Sequence, residues 1–303
     1  MKKKLLFIIY FVITFILIDI CIRAFCSYSY NSFSQESSFY LENQFAISKS
    51  KADILIVGSS SGFHGYNPNI LSDSLRCRVI NSCADAKAIH FQFIAIEHFL
   101  KNGNIQTVLF DISKPQVEDY WHQDISPYKP YYWQMESAKE YVDKVLTWYE
   151  RIFMLSACYQ YNGTFYPCIR RYLAADKKGI DKWRPIPYTG IPYEQELSVD
   201  TGKLVLDELC MEYLERAVKL CKAKHIRLIF CKSPGLSGSD KFNQFMENYA
   251  QQNDVEFWNY NWEKSIINDK TLFKDAVHLN EKGANIFTQM LIDRIKGKRL
   301  NKK

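Results

Sequence analysis

The chain reads as an α/β protein, a three-layer α/β/α sandwich around a mostly parallel, flavodoxin-like sheet of five strands. Three observations predict this. From Lys51 onward, short apolar runs alternate with stretches of helical periodicity. The runs are almost wholly apolar, as strands covered on both faces must be. Five of them occur, and sheets of this kind place ligands at the carboxyl ends of their strands. An apolar N-terminal segment and an aromatic-rich insertion stand outside the alternation.

The first strand is predicted over Asp53 to Val57, bounded by Gly58. Asn67 followed by Pro68 then reads as a helix cap with proline at the first helical position. Arg78 to Ile80 gives a second strand ending at Asn81. Ile89, Phe93, Ile96 and Leu100 recur at helical spacing before an Asn102-Gly103 stop, and Thr107 to Phe110 is the third strand. Further on, Leu206, Cys210, Tyr213, Ala217 and Cys221 mark a helix before a strand at Ile226 to Phe230. A helix around Phe242 to Tyr249 leads to the strand Val255 to Trp258. The last helix starts near Glu281, with Asn280 as its cap.

Between about 116 and 201 the alternation stops. This stretch is rich in Tyr and Trp, including Tyr120, Trp121, Tyr128, Tyr131, Trp148, Tyr149 and Trp183, and has prolines at 130, 167, 185, 187 and 192. Part of it, Glu136 to Leu155, has helical character. It reads as an insertion packed over the strand ends, serving either as a private aromatic core or as a wall that stacks on sugar rings.

At the N-terminus, Lys2, Lys3 and Lys4 precede an apolar run from Leu5 to Ile18, and a further apolar stretch holding Asp19 and Arg23 ends near Phe25. No small-x-small cleavage site follows, and no lipoprotein box precedes Cys21 or Cys26. The favoured reading is an uncleaved signal anchor over residues 1–26, crossing the membrane through residues 5–25. A cleaved signal peptide and a buried core helix are the alternatives. Lysines on the N-terminal side put the rest of the chain outside the cytoplasm, in the periplasm or at the cell surface. Residues 27–50, rich in Ser, Tyr, Asn and Gln, read as a stalk, and residues 51–303 as the main domain carrying the insertion.

Composition excludes some functions. The 303 residues are 47% hydrophobic and 24% charged, as in ordinary globular proteins. The net charge of +6 lies at the ends: the first 25 residues carry +3 and the tail from Lys296 carries +5, leaving about −2 for the body. A nucleic-acid module would carry its positive charge on the folded surface, so nucleic-acid binding is not expected. Nine cysteines show no paired spacing, so no zinc ribbon is expected. With no phosphate-binding loop, dinucleotide glycine pattern or HExxH motif, neither a metal nor another cofactor is expected.

Two elements carry chemistry. Gly58-Ser59-Ser60-Ser61-Gly62 places hydroxyls directly after the first strand, where backbone N–H groups can receive an oxyanion; an ordinary turn is the bland alternative. Asp275-Ala-Val-His278 precedes the last helix. There a carboxylate can take the Nδ1 proton and leave Nε2 free as a base, although a capped helix start with a surface histidine has the same pattern.

Together, Gly-Ser after the first strand and Asp-x-x-His before the last helix resemble the SGNH/GDSL hydrolases. The likeness runs from about Lys51 to Ile295 outside the insertion. Gly58-Ser59-Ser60 is similar to the family's Gly-Asp-Ser block, and His278-Leu279-Asn280 with Gly283 to its final block. The resemblance implies Ser60 as nucleophile, His278 as base and Asp275 as its orienting partner. It also implies an oxyanion hole from the N–H groups of Ser60 and Ala86, the latter at the family's second-block glycine position. The third block's Asn is missing from Phe110-Asp111-Ile112-Ser113-Lys114-Pro115. Ser59, His64 and Asn81 are further candidates for binding substrate. The expected activity is removal or transfer of a small acyl group such as acetyl on an envelope or extracellular glycan, so an acylated carbohydrate is the expected partner. The alternative is a catalytically silent module that binds glycan or proteins.

Overall fold

The computed structural model describes residues 2–32, 52–118, 125–166, 168–169 and 185–297. The stalk from residue 33, Tyr120, Trp121, His122, Pro167, Trp183 and the lysines from Lys298 lie outside the described residues. The chain divides into two compact units, residues 1–47 with 123–181 and residues 48–122 with 182–303.

In chain order, α1 (Lys2–Ser32) opens the first unit. The second begins with β1 (Ile54–Val57), α2 (Ser60–Gly65), α3 (Pro68–Leu75), β2 (Val79–Asn81), α4 (Ile89–Asn102), β3 (Thr107–Asp111) and α5 (Lys114–Val117). The first unit resumes with α6 (Glu136–Val145), α7 (Trp148–Phe153) and α8 (Ala157–Gln160). The second closes with β4 (Ser198–Val199), α9 (Glu208–Ala223), β5 (Arg227–Lys232), β6 (Ser237–Gly238), α10 (Asp240–Gln252), β7 (Glu256–Asn259), α11 (Lys264–Ile267) and α12 (Glu281–Ile295).

In the second unit, five parallel strands lie in the order β2-β1-β3-β5-β7. All five are the expected runs, displaced by no more than two residues at either end. Every residue of β1 is buried, because side chains pack against both faces of the sheet. On one face Ile56, Leu109, Ile229 and Trp258 meet Phe287 and Leu291 of α12. On the other, α4 packs against α9 and β1, and α9 against β5. Each fully buried aliphatic side chain here contributes about 1.5–3 kcal/mol.

Local signals set the helix starts. The Asn67 side chain accepts the N–H groups of Asn69 and Ile70, and Pro68 occupies the first turn of α3, where a missing N–H is harmless. Asn280 caps α12 by accepting the N–H of Gly283. After β1 the chain adds β2 on one side and β3 on the other, so the point where the strand order reverses lies beside β1's carboxyl end. Open α/β sheets bind ligands at such points. A short parallel pair, β4 with β6, brings residues 198–200 beside the start of α10.

In the first unit, α1 is long and apolar enough over Lys2–Ser29 to cross a bilayer. The helix continues through Ser32, past Cys26, so the start of the expected stalk is helical. Glu136 to Leu155 forms two helices rather than one. Thr147 and Glu150 build a reciprocal capping box that restarts the chain as α7. Tyr128, Tyr141 and Tyr161 are fully buried, and the rings of Tyr128 and Tyr141 meet edge-on with centroids 4.8 Å apart. The sequence-defined insertion is thus split, since residues 185–201 belong to the second unit.

Candidate active site

β1 ends in Gly58, where the end of the neighbouring parallel strand β3 comes close: a Cβ there would lie 2.8 Å from Asp111 Cβ and 2.9 Å from the Asp111 carbonyl oxygen. The chain then turns into α2, and its three serines have different fates. Ser59 precedes the helix, and its Oγ accepts the Lys87 N–H at 3.4 Å. Ser61 donates its hydroxyl to Asp111 Oδ2 at 2.5 Å. Ser60 Oγ has no hydrogen-bond partner among the described residues, and Ser60 lines the main cleft of this unit.

Asp111 was not singled out by the sequence. It is fully buried at the end of β3 and accepts from Ser61 Oγ, from Tyr66 Oη at 2.9 Å and from the Ser233 N–H at 3.1 Å. These bonds satisfy a carboxylate withdrawn from water and fasten the serine turn to β3 and β5. An Asp closing an otherwise apolar strand was the only signal for it.

The Asp275–His278 segment is a tight loop. The Lys274 N–H donates to the His278 carbonyl at 2.9 Å, and Phe273 bridges Leu279. Asp275 Oδ1 accepts the N–H groups of Val277 and His278, each at 2.9 Å. Both carboxylate oxygens also face His278 Nδ1, at 3.0 and 2.8 Å. Burial pushes the Asp275 carboxyl up, but the His278 hydrogen bond, the loop N–H groups and the imidazole charge outweigh it, and its pKa falls to about 2. Gly283 lets α12 approach this loop, for a Cβ there would lie 2.4 Å from the Leu272 carbonyl oxygen.

With Nδ1 held by Asp275, Nε2 is the nitrogen left for chemistry, and it is shielded from solvent without a partner. Ser60 and His278 line the same cleft and are not hydrogen-bonded to each other. Serine–histidine bonds are often long before substrate binds and shorten in the complex. The backbone between the two halves is tied: the Asn67 N–H donates to Thr288 Oγ1 at 3.0 Å, and Asn67 Nδ2 to Asn285 Oδ1 at 2.8 Å.

His64 lies one helical turn beyond Ser60 and so on the same face of α2. Its ring meets that of His278 edge-on, with centroids 5.7 Å apart and an interplanar angle of 88°. Its Nε2 is 3.4 Å from Asp85 Oδ1. The His64 bond holds the Asp85 carboxyl below its ordinary range, against the opposing effect of burial.

Ala86 sits in the left-handed region at φ 53°, a conformation that favours glycine. The turn after β2 keeps this shape even though the chain places alanine in it. No acceptor among the described residues takes the backbone N–H of Ser60 or Ala86. Asn81, expected to bind substrate, does not line the cleft. Its Nδ2 donates to the carbonyls of Gly62, Phe63 and Tyr66, and its Oδ1 accepts the Cys83 N–H, so the whole amide is spent on fastening α2 to β2.

The cleft has a volume of about 700 Å³, within the range of small-molecule sites. Besides Ser60 it is lined by Ser113, Lys114, Gln116, Asp200, Lys232 and Ser239, none of which the sequence singled out. Their signal was position, because Ser113 and Lys114 follow β3 and Lys232 ends β5. Lys114 bonds Asp200, and this contact raises the ammonium pKa. Gln116 is buried; its Oε1 accepts the N–H and hydroxyl of Ser113, while its Nε2 has no partner. Among the described residues, Phe242 is the one Phe, Tyr or Trp in the lining, and none of the described aromatic residues of the insertion lines this cleft.

No protein-family model matches the chain, and no curated protein does. Solved structures similar to it include a protein named as an acylhydrolase from Bacteroides fragilis, at 12% identity over 86% of this chain and 99% of that one, with a TM-score of 0.43. A protein named as lipolytic and of the G-D-S-L family, from Desulfitobacterium hafniense, matches at 10% identity over 79% and 97%, with a TM-score of 0.40. A GDSL-like lipase from Bacteroides thetaiotaomicron matches at 10% identity over 85% and 98%, with a TM-score of 0.42. At these TM-scores the functional reading rests on the residues of the cleft.

Proposed function

We infer that the chain is a membrane-anchored serine esterase or acyltransferase. Its catalytic unit lies outside the cytoplasm and acts on O-acyl, chiefly O-acetyl, esters of envelope or extracellular glycans. One observation carries this reading: an unpartnered Ser60 hydroxyl shares a cleft with a histidine whose other nitrogen is held by a carboxylate. Ser60 Oγ attacks the acyl carbon while His278 Nε2 takes its proton, and Asp275 steadies the imidazolium. The N–H groups of Ser60 and Ala86 stabilise the oxyanion, and the free amide of Gln116 is the side-chain donor offered in place of the missing Asn. Collapse breaks the ester C–O bond, and His278 returns the proton to the departing alcohol. Water or a sugar hydroxyl, deprotonated by His278, then releases the acyl group from Ser60.

A hydroxyl-rich lining with a Lys114–Asp200 pair suits a polyhydroxylated substrate and supports the glycan assignment. Anchoring is supported by the bonds that hold the outer end of α1 to its own unit. The Asp19 carboxylate accepts the Ser156 hydroxyl at 2.7 Å, and Arg23 donates to the Leu155 carbonyl at 2.7 Å. A cleaved signal peptide would have no use for such contacts. The second reading, a silent binding module, draws on the missing Ser60–His278 bond.

Labelling of the full chain in detergent with a serine-reactive fluorophosphonate tests the two, alongside turnover of p-nitrophenyl acetate. The enzyme reading expects both in the wild type and neither in Ser60→Ala. An unlabelled, inactive wild type would leave the binding module standing, and labelling that survives Ser60→Ala would move the nucleophile to another residue.

A further inference from the structure

The first unit carries an apolar surface that its described residues leave exposed. In α7, Trp148, Tyr149, Ile152 and Phe153 are 75%, 52%, 54% and 53% exposed, and Leu155 just beyond is 64% exposed. No residue of α7 is buried. At about 100° per residue these four side chains fall on one face, with Glu150 and Arg151 on the other. The polar face is already occupied: Glu150 closes the Thr147 cap, and Arg151 donates to backbone carbonyls of residues 143 and 146. Isolated exposed apolar residues are ordinary, but five large ones within eight positions are a surface that expects a partner.

Contacts within the same unit fix the height of this face. Arg23 bonds the Leu155 carbonyl and, at 2.9 Å, Gln160 Oε1; Asp19 accepts the Ser156 hydroxyl and, at 3.1 Å, the Cys158 N–H; Ser27 meets Tyr161 Oη at 3.1 Å. Residues 155–161 therefore lie level with positions 19–27 of α1. At about 1.5 Å per residue, Asp19 stands roughly 21 Å along the helix from Leu5 and Ser27 roughly 33 Å. The hydrocarbon core of a bilayer is about 30 Å thick. The segment directly after α7 thus falls at the outer boundary of that core, where charged groups such as Asp19 and Arg23 need protein partners.

We propose that α7 is an interfacial membrane helix, with Trp148, Tyr149, Ile152, Phe153 and Leu155 seated at the boundary between headgroups and acyl chains of the outer leaflet. The composition suits that depth: Trp and Tyr favour the membrane–water interface, and a short helix with one apolar face lies in its plane. The proposal rests on the anchored reading of α1 and adds a second contact that holds the unit against the bilayer.

The test uses the full chain in phosphatidylcholine–phosphatidylglycerol vesicles containing lipid brominated on the acyl chain near the headgroup. Bromine quenches nearby indole emission, and the chain has six tryptophans. Trp148→Phe should remove about one tryptophan's share of the quenching seen in the wild type. Alkaline carbonate extraction of the same vesicles reports α1 separately. Carbonate-resistant chains whose quenching is the same with and without Trp148 overturn the interfacial helix and leave the anchor standing. Coverage of α7 by a second copy or another protein would give that same overturning result. Trp148-dependent quenching on vesicles from which carbonate strips the chain supports the surface contact and overturns the anchor.

Discussion

Ser61 donates its hydroxyl to the buried carboxylate of Asp111 at 2.5 Å, and this bond sorts three consecutive serines into different roles. Ser61 is spent on structure, Ser59 receives the Lys87 N–H, and Ser60 is left without a partner in the cleft. Removing the Ser61 hydroxyl leaves the buried Asp111 one donor short, at a cost of about 1–3 kcal/mol. Ser61→Ala should therefore lower the melting temperature while fluorophosphonate labelling persists. Ser60→Ala should leave the melting temperature unchanged and abolish labelling. Thermal unfolding and gel fluorescence on the two variants check both.

Ala86 holds a backbone conformation that glycine adopts at little cost, at φ 53°. A non-glycine residue in a sparsely populated region costs about 1–3 kcal/mol, and glycine's own loss of freedom on folding offsets only about 0.4–1 kcal/mol of the relief. Ala86→Gly should thus stabilise the protein, by about 2–4 °C per kcal/mol gained. Its N–H is retained, so ester turnover should not fall. A drop in melting temperature would count against strain at this turn.

Much of this was legible beforehand. The five strands could be read because a parallel sheet covered on both faces needs apolar runs, and such runs stand out against helical periodicity. The caps at Asn67 and Asn280 were readable because capping is local chemistry. What escaped depends on non-local contact. Asn81 follows a strand as a ligand-binding residue would, and only the fold shows its amide consumed by α2. Asp111 looked like a gap in a family block rather than the anchor of the serine turn. Trp148 and Tyr149 were readable either as part of a private aromatic core or as a sugar-stacking wall, because sequence does not tell a solvent-exposed ring from one in a core or a cleft.

Gln116 presents Nε2 without a partner while Ser113 occupies its Oε1. If that amide supplies the oxyanion donor, Gln116→Glu keeps the acceptor for Ser113 and removes the N–H. The kcat for p-nitrophenyl acetate should fall about 10²-fold or more, the scale of losing one such donor. The melting temperature should move little, since the cap is preserved. An unchanged kcat would return Gln116 to a purely structural role.

The low pKa of Asp275 has a definite sign in stability. Its folded value of about 2 lies below the ordinary 3.8. Between these values the unfolded chain binds more protons, so ionised Asp275 stabilises the fold above about pH 4 and loses that contribution as pH falls toward 2. Asp275→Asn retains an oxygen for the Val277 and His278 N–H groups but has no charge to lose. The melting-temperature gap between wild type and Asp275→Asn should be widest above pH 4 and shrink toward pH 2. A gap that widens on acidification would contradict the charge pairing.

A nucleophile and its base act as one device, and their removal is not additive. Without His278 the Ser60 hydroxyl keeps its proton and attacks poorly; without Ser60 the imidazole has nothing to activate. Each single loss should remove nearly all turnover, and the Ser60→Ala/His278→Ala double variant should fall to about the same residual rate as either alone. Multiplying rate losses would mean that the two side chains act on separate steps. Asp275→Ala should cost less than either, because its carboxylate orients and steadies the imidazole while making no bond to the acyl group. Steady-state rates on p-nitrophenyl acetate for the four variants decide the order. If Asp275→Ala were the most damaging at equal melting temperature, the loop geometry rather than the Ser60–His278 pair would be the limiting element of the site.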